Sequence, residues 1–359
     1  RQATVPPVNE AYKEEFAEAY AELGHDSWVL YTKRGGVRKE ELEKHGIHTL
    51  GTLNDSTLNQ IKEWEPDIVH LHSNTLKYSD VESVYKSKKT DTSYVETNVF
   101  SKPSPWADFL NISLQLSPWC AYLFKLRSRK RYNIQIVPCP IHCSNFFRTD
   151  KDKIFKFKQN LNMEADVPVI GRIGQHYAGK WSNILIEAYE TIRKQRKCYL
   201  LLINPPDFIK KLSEESEFSD DIRIVDQIVG DNNLRTAYSS MDVFAHAAKQ
   251  GESFGMVLAE ALLCETPVVT LSTPWGDNSQ CGVVENDVGG LVCTTKKGFT
   301  HAIHNLLMDK QKGSFYEKKG RKLIIENYDY IKVANDVINS LYSNPDFDDK
   351  RLKYDVIKR

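Results

Sequence analysis

The chain has 359 residues, of which 41% are hydrophobic, and its 48 Lys+Arg balance 48 Asp+Glu to no net charge. That length sets a prior of two domains with cores of their own, and the missing basic excess argues against a dedicated nucleic-acid binder. No apolar run approaches the roughly 18 residues of a membrane span, and no stretch at the start reads as a signal peptide.

The sequence starts at Arg1, not Met, and opens on loop-like Ala3-Thr4-Val5-Pro6-Pro7, so something preceding it is expected to be missing. Tyr12, Phe16, Tyr20 and Leu23 mark that helix, which Gly24 ends. A strand follows at Trp28 to Tyr31, a short helix at Glu40 to His45, and another at Leu58 to Trp64 that Pro66 stops. Asp67 to His72 is an apolar strand with polar residues at its carboxyl end. Further strands are expected at Ser93 to Thr97, Ile112 to Leu116 and Ile134 to Val137, with a helix at Trp119 to Leu126. The basic run Lys125 to Arg131 is either a solvated loop or an approach to an anionic membrane surface. A polar, lysine-rich stretch from Thr149 to Asn162 reads as a linker.

The second half repeats the alternation. Strands are expected at Val167 to Gly171, Cys198 to Ile203, Ile222 to Val225, Asp242 to Ala245, Pro267 to Thr270 and Leu291 to Cys293. Helices are expected at Ile184 to Ile192, Phe208 to Leu212, Leu234 to Ser239 and near 297–308, 316–327 and 330–342. Strand and helix in turn point to an α/β fold, two tandem Rossmann-like doubly wound domains facing across a cleft. The expected boundaries are 1–160, 161–335, and a helical segment 336–359 packing back on the first domain. Ligands of such sheets bind beyond the carboxyl ends of the strands.

The most informative stretch is Gly251 to Val269. Glu252 and Glu260 stand eight apart across the start of a helix whose apolar stripe is Phe254, Val257, Leu258, Ala261 and Leu262. Ser253 is the candidate N-cap, and Gly255 opens the backbone where free N–H groups would receive an anion. Two carboxylates near a helix start also occur for dipole reasons alone. Upstream, Gly171-Arg172-Ile173 and Gly179-Lys180-Trp181 supply two cations suited to a diphosphate. His72 ends one strand, where it serves either as a cap or in a site, and His246 stands before Gly251 within reach of a sugar hydroxyl. Trp275, Asp277, Asn278 and Gln280 form a polar turn at the sheet edge. The seven cysteines (Cys120, Cys139, Cys143, Cys198, Cys264, Cys281, Cys293) contain no Cys-x-x-Cys pair, which suggests reduced thiols and a cytoplasmic setting. Cys139, His142 and Cys143 are too few for zinc, so no metal is expected.

The order Gly171-Arg172…Lys180, Asp242-Val243-Phe244, Glu252-Ser-Phe-Gly255…Glu260-Ala261, Pro267-Val-Val269 and Gly289-Gly-Leu-Val292 resembles the retaining glycosyltransferases of family four, with the GT-B fold. In the first half, Pro66 to His72 and Val137-Pro138…Phe147 are similar to that family more weakly. The resemblance implies that Arg172 and Lys180 hold the donor diphosphate and Glu252 the sugar hydroxyls. It gives Glu260 to the ribose, amides near Gly255 and Met256 to phosphate, and Gly230 and Tyr238 to the base. Three features depart from the family. The opening strand and glycine-rich turn are expected to be absent. Thr97-Asn98-Val99-Phe100 stands where members carry a His, leaving Asn98 a polar role without a base. Pro138-Cys-Pro-Ile-His142 replaces the usual turn.

The implied reaction moves a sugar from a nucleotide diphosphate sugar, UDP- or GDP-linked, to a glycan, lipid-linked or protein-linked acceptor with retained configuration. No cofactor beyond that donor is expected, and peripheral membrane contact is the alternative that the basic run leaves open. The rivals are a nucleotide-sugar epimerase or phosphorylase on the same fold, and a catalytically inactive nucleotide-sugar or glycan-binding protein. A Rossmann dehydrogenase is disfavoured because no Gly-x-Gly-x-x-Gly follows a strand.

Overall fold

A computed structural model describes residues 2–5, 12–31, 37–72, 77–87, 92–128 and 132–342. The chain forms two compact units, Arg1–Ile141 with Tyr328–Arg359, and His142–Asn327. The chain thus leaves the first unit at Ile141, earlier than the expected residue 160, and returns to it at Tyr328.

The first unit is built on a seven-stranded sheet of order β3-β2-β1-β4-β5-β6-β7, parallel throughout. Its strands are β1 (Gln2–Val5), β2 (Ser27–Leu30), β3 (His48–Leu50), β4 (Ile68–His72), β5 (Ser93–Asn98), β6 (Ile112–Gln115) and β7 (Ile134–Ile136). Its helices are α1 (Tyr12–Glu22), α2 (Val37–Lys44), α3 (Asp55–Trp64), α4 (Tyr78–Lys86) and α5 (Pro118–Arg127). The expectation of a missing first strand is corrected: β1 lies between β2 and β4, pairing Thr4 with both Val29 and His70. Four residues ahead of Pro6-Pro7 carry little local strand signal, and neighbours on both sides supply the hydrogen bonds. β3 and α4 are likewise elements the pattern did not mark. Local chemistry sets other ends plainly. Asn54 Oδ1 accepts from the Thr57 amide at 3.1 Å and Thr57 Oγ1 from the Asn54 amide at 2.8 Å, a reciprocal cap on α3. Ser117 caps α5 on the Cys120 amide at 3.0 Å, with Pro118 at the first helical position.

The second unit opens with α6 (Lys151–Asn160), a helix where a linker was expected. Its lysines masked the helical spacing of half-buried Ile154 and Phe157, and the helix lies against α9. Its sheet of six parallel strands has the order β10-β9-β8-β11-β12-β13. These are β8 (Val169–Ile173), β9 (Tyr199–Ile203), β10 (Ile222–Val225), β11 (Val243–His246), β12 (Val268–Leu271) and β13 (Gly290–Cys293). The remaining helices are α7 (Ile184–Arg193), α8 (Asp207–Glu214), α9 (Asp231–Ser239), α10 (Met256–Leu263), α11 (Gln280–Val284), α12 (Lys296–Met308) and α13 (Lys310–Tyr328). Its core joins Ile170, Leu185, Tyr189, Leu202, Val243 and Phe299. Both sheets are covered on both faces, which is why β4, β8, β9 and β12 are buried at every position. The last helix among the described residues, α14 (Tyr330–Tyr342), packs on α1 of the first unit.

In each sheet the strand order reverses once, between β1 and β4 and between β8 and β11. Such a switch point leaves a crevice at the carboxyl ends of the two strands, because the connections leave in opposite directions.

Candidate functional site

The switch point of the second unit carries most of the expected residues. β8 and β11 pair Val243 with Ile170 and Phe244 with Gly171, so the segments after Gly171 and after His246 emerge side by side. Gly171 makes room for the Met241 side chain: a β-carbon there would stand 2.1 Å from the Met241 sulfur.

Arg172 turns inward. It is wholly buried, with its guanidinium 5.2 Å from the Trp181 ring centroid and 5.6 Å from that of Phe244. Nη1 donates to the Ile173 carbonyl at 2.8 Å and Nη2 to the Lys180 carbonyl at 2.9 Å. Burial pulls its pKa down to about 10, so it stays cationic at neutral pH. The expectation of an open Arg–Lys clamp is therefore corrected. Arg172 staples the 174–181 segment from beneath and adds a positive charge to the site without facing it.

Lys180 does face the site. Its Nζ donates to Glu252 Oε2 at 2.6 Å and to the Gly251 carbonyl at 3.2 Å. Glu252 Oε1 is 3.2 Å from His246 Nε2, and His246 Nδ1 is 3.0 Å from Thr270 Oγ1. Burial alone would raise the Glu252 carboxyl. The His246 hydrogen bond and the Lys180 and Arg172 charges outweigh it and bring the pKa down to about 2. Burial, with Arg172 nearby, pulls His246 down to about 4. At neutral pH the carboxylate is thus ionised and the imidazole neutral. Nε2 then carries the proton given to Glu252, and Nδ1 accepts from the Thr270 hydroxyl. The result is a line of Thr270, His246, Glu252 and Lys180 that fixes the carboxylate.

The backbone fixes it as well. Gly251 has φ +70°, and a β-carbon there would fall 1.7 Å from the Asp277 carbonyl oxygen. The Glu252 amide donates to Gln280 Oε1 at 3.0 Å, and the Ser279 amide to the Glu252 carbonyl at 3.0 Å. Gln280 is wholly buried and returns Nε2 to Thr273 Oγ1 at 2.7 Å. The polar turn read in the sequence is therefore a brace locked onto residues 250–252.

α10 begins later than expected. Its cap is Gly255, in the left-handed region at φ +108°, so Ser253 is not the N-cap and lies half-buried ahead of it. Phe254 is buried in the core beside it and offers no ring outward. The first-turn amides at Met256 and Val257 have no acceptor within a helix. Glu260 accepts the Tyr238 hydroxyl at 2.7 Å. Tyr238 is wholly buried against Phe244, with ring centroids 5.7 Å apart. It positions Glu260 and offers no face to a base, which corrects that expectation. Gly230, at φ +86°, caps α9 in an exposed position with open space where a side chain would stand.

In the first unit His72 and Asn98 end adjacent strands, with His72 paired to Thr97. His72 is wholly buried, its ring 4.3 Å from His70 and 5.6 Å from Phe16, so the inward packing overrides an open role for it. Asn98 Nδ2 donates to Glu96 Oε2 at 3.3 Å and to the Lys102 carbonyl at 2.8 Å. Glu96 is the residue the sequence reading missed. It is wholly buried, its carboxyl pushed up by that burial, and it accepts from Ser113 Oγ at 3.0 Å and from Ser104 Oγ. The signal was a lone carboxylate in a strand buried on both faces. Among the described residues no group of three His, Cys, Asp or Glu could hold a metal ion, and no helix is long and apolar enough to cross a membrane.

Residues 150–323 match the family described as Glycosyl transferases group 1. No curated protein sequence matches the chain. Among solved structures, a glycosyltransferase from Rickettsia africae is similar at TM-score 0.79 and 17% identity, over 94% of this chain and 96% of that one. Anabaena HepE in complex with UDP-glucose is similar at 0.74 and 16%, over 95% and 99%. Sucrose-phosphate synthase from Thermosynechococcus elongatus is similar at 0.72 and 17%, over 95% and 98%. At such identities the likeness speaks for the fold. By residues 150–323 the chain matches the group 1 glycosyl transferases, and along nearly its whole length it has the parallel-sheet GT-B architecture of solved glycosyltransferases.

Proposed function

We propose that the chain is a retaining glycosyltransferase of family four, moving a hexose from a UDP- or GDP-linked sugar to a hydroxyl of a glycan, lipid-linked or protein-linked acceptor in the cytoplasm. The observation that carries this reading is the Lys180–Glu252–His246 line at the β8/β11 switch point, beside the Gly255 start of α10. HepE, with the same fold, was solved with UDP-glucose bound.

In this reading the donor diphosphate lies against the amides at Gly255 and Met256 and takes Lys180 as its counter-charge. Glu252, ionised and acceptor-only, bonds sugar hydroxyls. Glu260, held by Tyr238, takes the ribose, and the base passes Gly230. Arg172 supports the developing charge from below. The leaving phosphate takes the acceptor proton on the same face, so neither a metal nor a side-chain base is required. Asn98, tied by both amide hydrogens, presents its oxygen as an acceptor. Asn98 standing where members of the resembled family carry a His leaves a second reading, an inactive nucleotide-sugar binder.

Thermal unfolding with a panel of UDP-, GDP- and ADP-sugars tests the donor. One present at 100 times its Kd adds about 2.7 kcal/mol. Lys180→Ala should lower turnover by roughly 10²–10³-fold, the usual cost of losing one preorganised charge-stabilising group. Stabilisation by none of the panel overturns the proposal. Binding without transfer or hydrolysis, followed by mass spectrometry, selects the inactive reading; a free epimerised donor, or a need for inorganic phosphate, selects the isomerase or phosphorylase.

A further inference from the structure

Two aromatic rings stand out on the second unit. Trp275 is 73% exposed, whereas Trp181 and Trp106 are buried. Tyr177 is 51% exposed. Both are held by their polar tips to consecutive residues. Trp275 Nε1 donates to the Lys249 carbonyl at 3.4 Å, and Gln250 Nε2 donates to the Tyr177 hydroxyl at 3.2 Å. Lys249 and Gln250 lead directly into Gly251 and Glu252.

Hydrogen bonds tie the loop carrying Trp275 to itself and to residue 250. The Asp277 amide donates to the Gln250 carbonyl at 2.9 Å, Thr273 Oγ1 to the Asp277 carbonyl at 2.6 Å, and the Thr273 amide to Asn278 Oδ1 at 2.7 Å. Gly276 comes so close to Gln250 that a β-carbon would stand 2.8 Å from its carbonyl oxygen. A large indole is therefore kept in water by a preorganised loop, although burying it would be favourable. Scattered surface aromatics need no explanation, but these two share one anchor at the edge of the Lys180–Glu252 pair.

We propose that Trp275 and Tyr177 form a platform for a pyranose ring; this rests on the glycosyl-transfer reading and extends it. A pyranose has one face of C–H groups and a rim of hydroxyls. The C–H face meets the negative face of an aromatic ring, and the hydroxyls meet donors and acceptors such as Lys180 and Glu252. A cationic ligand, the other common partner of such rings, is disfavoured by Lys180, whose Nζ bonds the Gly251 carbonyl at 3.2 Å next to Gln250. The ring belongs either to the donor sugar or to the acceptor glycan.

Calorimetry on the full chain separates these sources. Wild type, Trp275→Ala, Trp275→Phe and Tyr177→Ala are titrated with UDP, UDP-glucose, UDP-N-acetylglucosamine, GDP and GDP-mannose, and, in the presence of UDP, with maltotriose and chitotriose. Trp275 is exposed, so the variants should fold, which unfolding curves check. If the donor sugar sits on the platform, Trp275→Ala weakens the nucleotide sugar at least tenfold while the bare nucleotide binds as before. If the acceptor sits there, the same loss falls on the trisaccharide. Trp275→Phe retains most of the affinity in either case. Unchanged binding of every sugar by Trp275→Ala and Tyr177→Ala overturns the platform. An equal loss for the bare nucleotide also overturns it, by making it a base-stacking surface. A wild type that binds trisaccharides but no nucleotide sugar overturns the donor reading alone. Binding of no probe overturns both.

Discussion

Glu252 is ionised in a buried place because its neighbours are arranged for that form, and His246 is neutral for the complementary reason. The two shifts act on stability in the same direction. A free imidazole titrates near 6.5, whereas His246 in the folded chain titrates at about 4 and His70, buried between Tyr20 and Thr97, at about 3. Between those values the unfolded chain binds protons that the folded chain does not, so stability falls as pH drops below 6.5. Glu252 contributes fully above the ordinary carboxylate range, and its contribution is lost as pH falls towards 2. Urea midpoints of the wild type should therefore decrease from pH 7 to pH 5, and His246→Gln should flatten that slope for the second unit. The same slope in the variant would refute the assignment. At this scale the sequence was legible in kind but not in direction. Glu252 and Glu260 were recognisable as carboxylates at a helix start, and Arg172 and Lys180 as cations upstream of it. That Arg172 and His72 turn inward was not, because a side chain's orientation depends on what packs against it.

At the scale of elements, α5 offers the clearest test. Its cap and proline start it cleanly, and Cys120, Ala121 and Phe124 bury one face. The other face leaves Tyr122 53% and Leu126 65% exposed, with Lys125 beside them and Trp119 5.7 Å from Tyr122. The basic run continues through Arg129 to Arg131, outside the described residues. Exposed apolar and aromatic groups among lysines and arginines suit an anionic bilayer surface. Each cation near it contributes about 1 kcal/mol. The chain should therefore sediment with vesicles containing about one third phosphatidylglycerol, and not with neutral ones. Lys125→Glu or Leu126→Ser should lower the partitioning several-fold. Equal sedimentation with both vesicle types, or none with either, would remove the membrane surface from the account. Elements with strong local signals, such as β4 and α7, were readable from apolar runs and helical spacing. β1 and α6 were not. One is a four-residue strand before two prolines, and the other is a lysine-rich helix whose stability comes from packing.

At the scale of the molecule, α14 returns to the first unit, where the chain began. Val333, Ala334, Val337 and Leu341 of α14 are buried, and the Tyr330 hydroxyl donates to Glu22 of α1 at 2.8 Å. Residues 328–330 also bond with Ile141 at 2.9 and 3.0 Å. Ending the chain at residue 328 should destabilise the first unit by several kcal/mol, since each buried Val or Leu is worth roughly 1.5–3 kcal/mol. The second unit should be unaffected. Hydrogen exchange resolved by segment would show faster exchange in β4 and β5 with β8 and β9 unchanged; a uniform effect on both units would contradict the division. The sequence by itself determined the alternation of strand and helix, hence two doubly wound sheets, and the order of charged residues at the strand ends. Both are local properties, set by side-chain period and by the residues that start and stop each element. It took the tertiary structure to place β1 between β2 and β4, Glu252 against Lys180 and His246, and Arg172 beneath them. The first depends on β1 pairing with β4, more than sixty residues away, and the other two on β11 lying beside β8, a pairing between residues about seventy apart that no short-range pattern encodes.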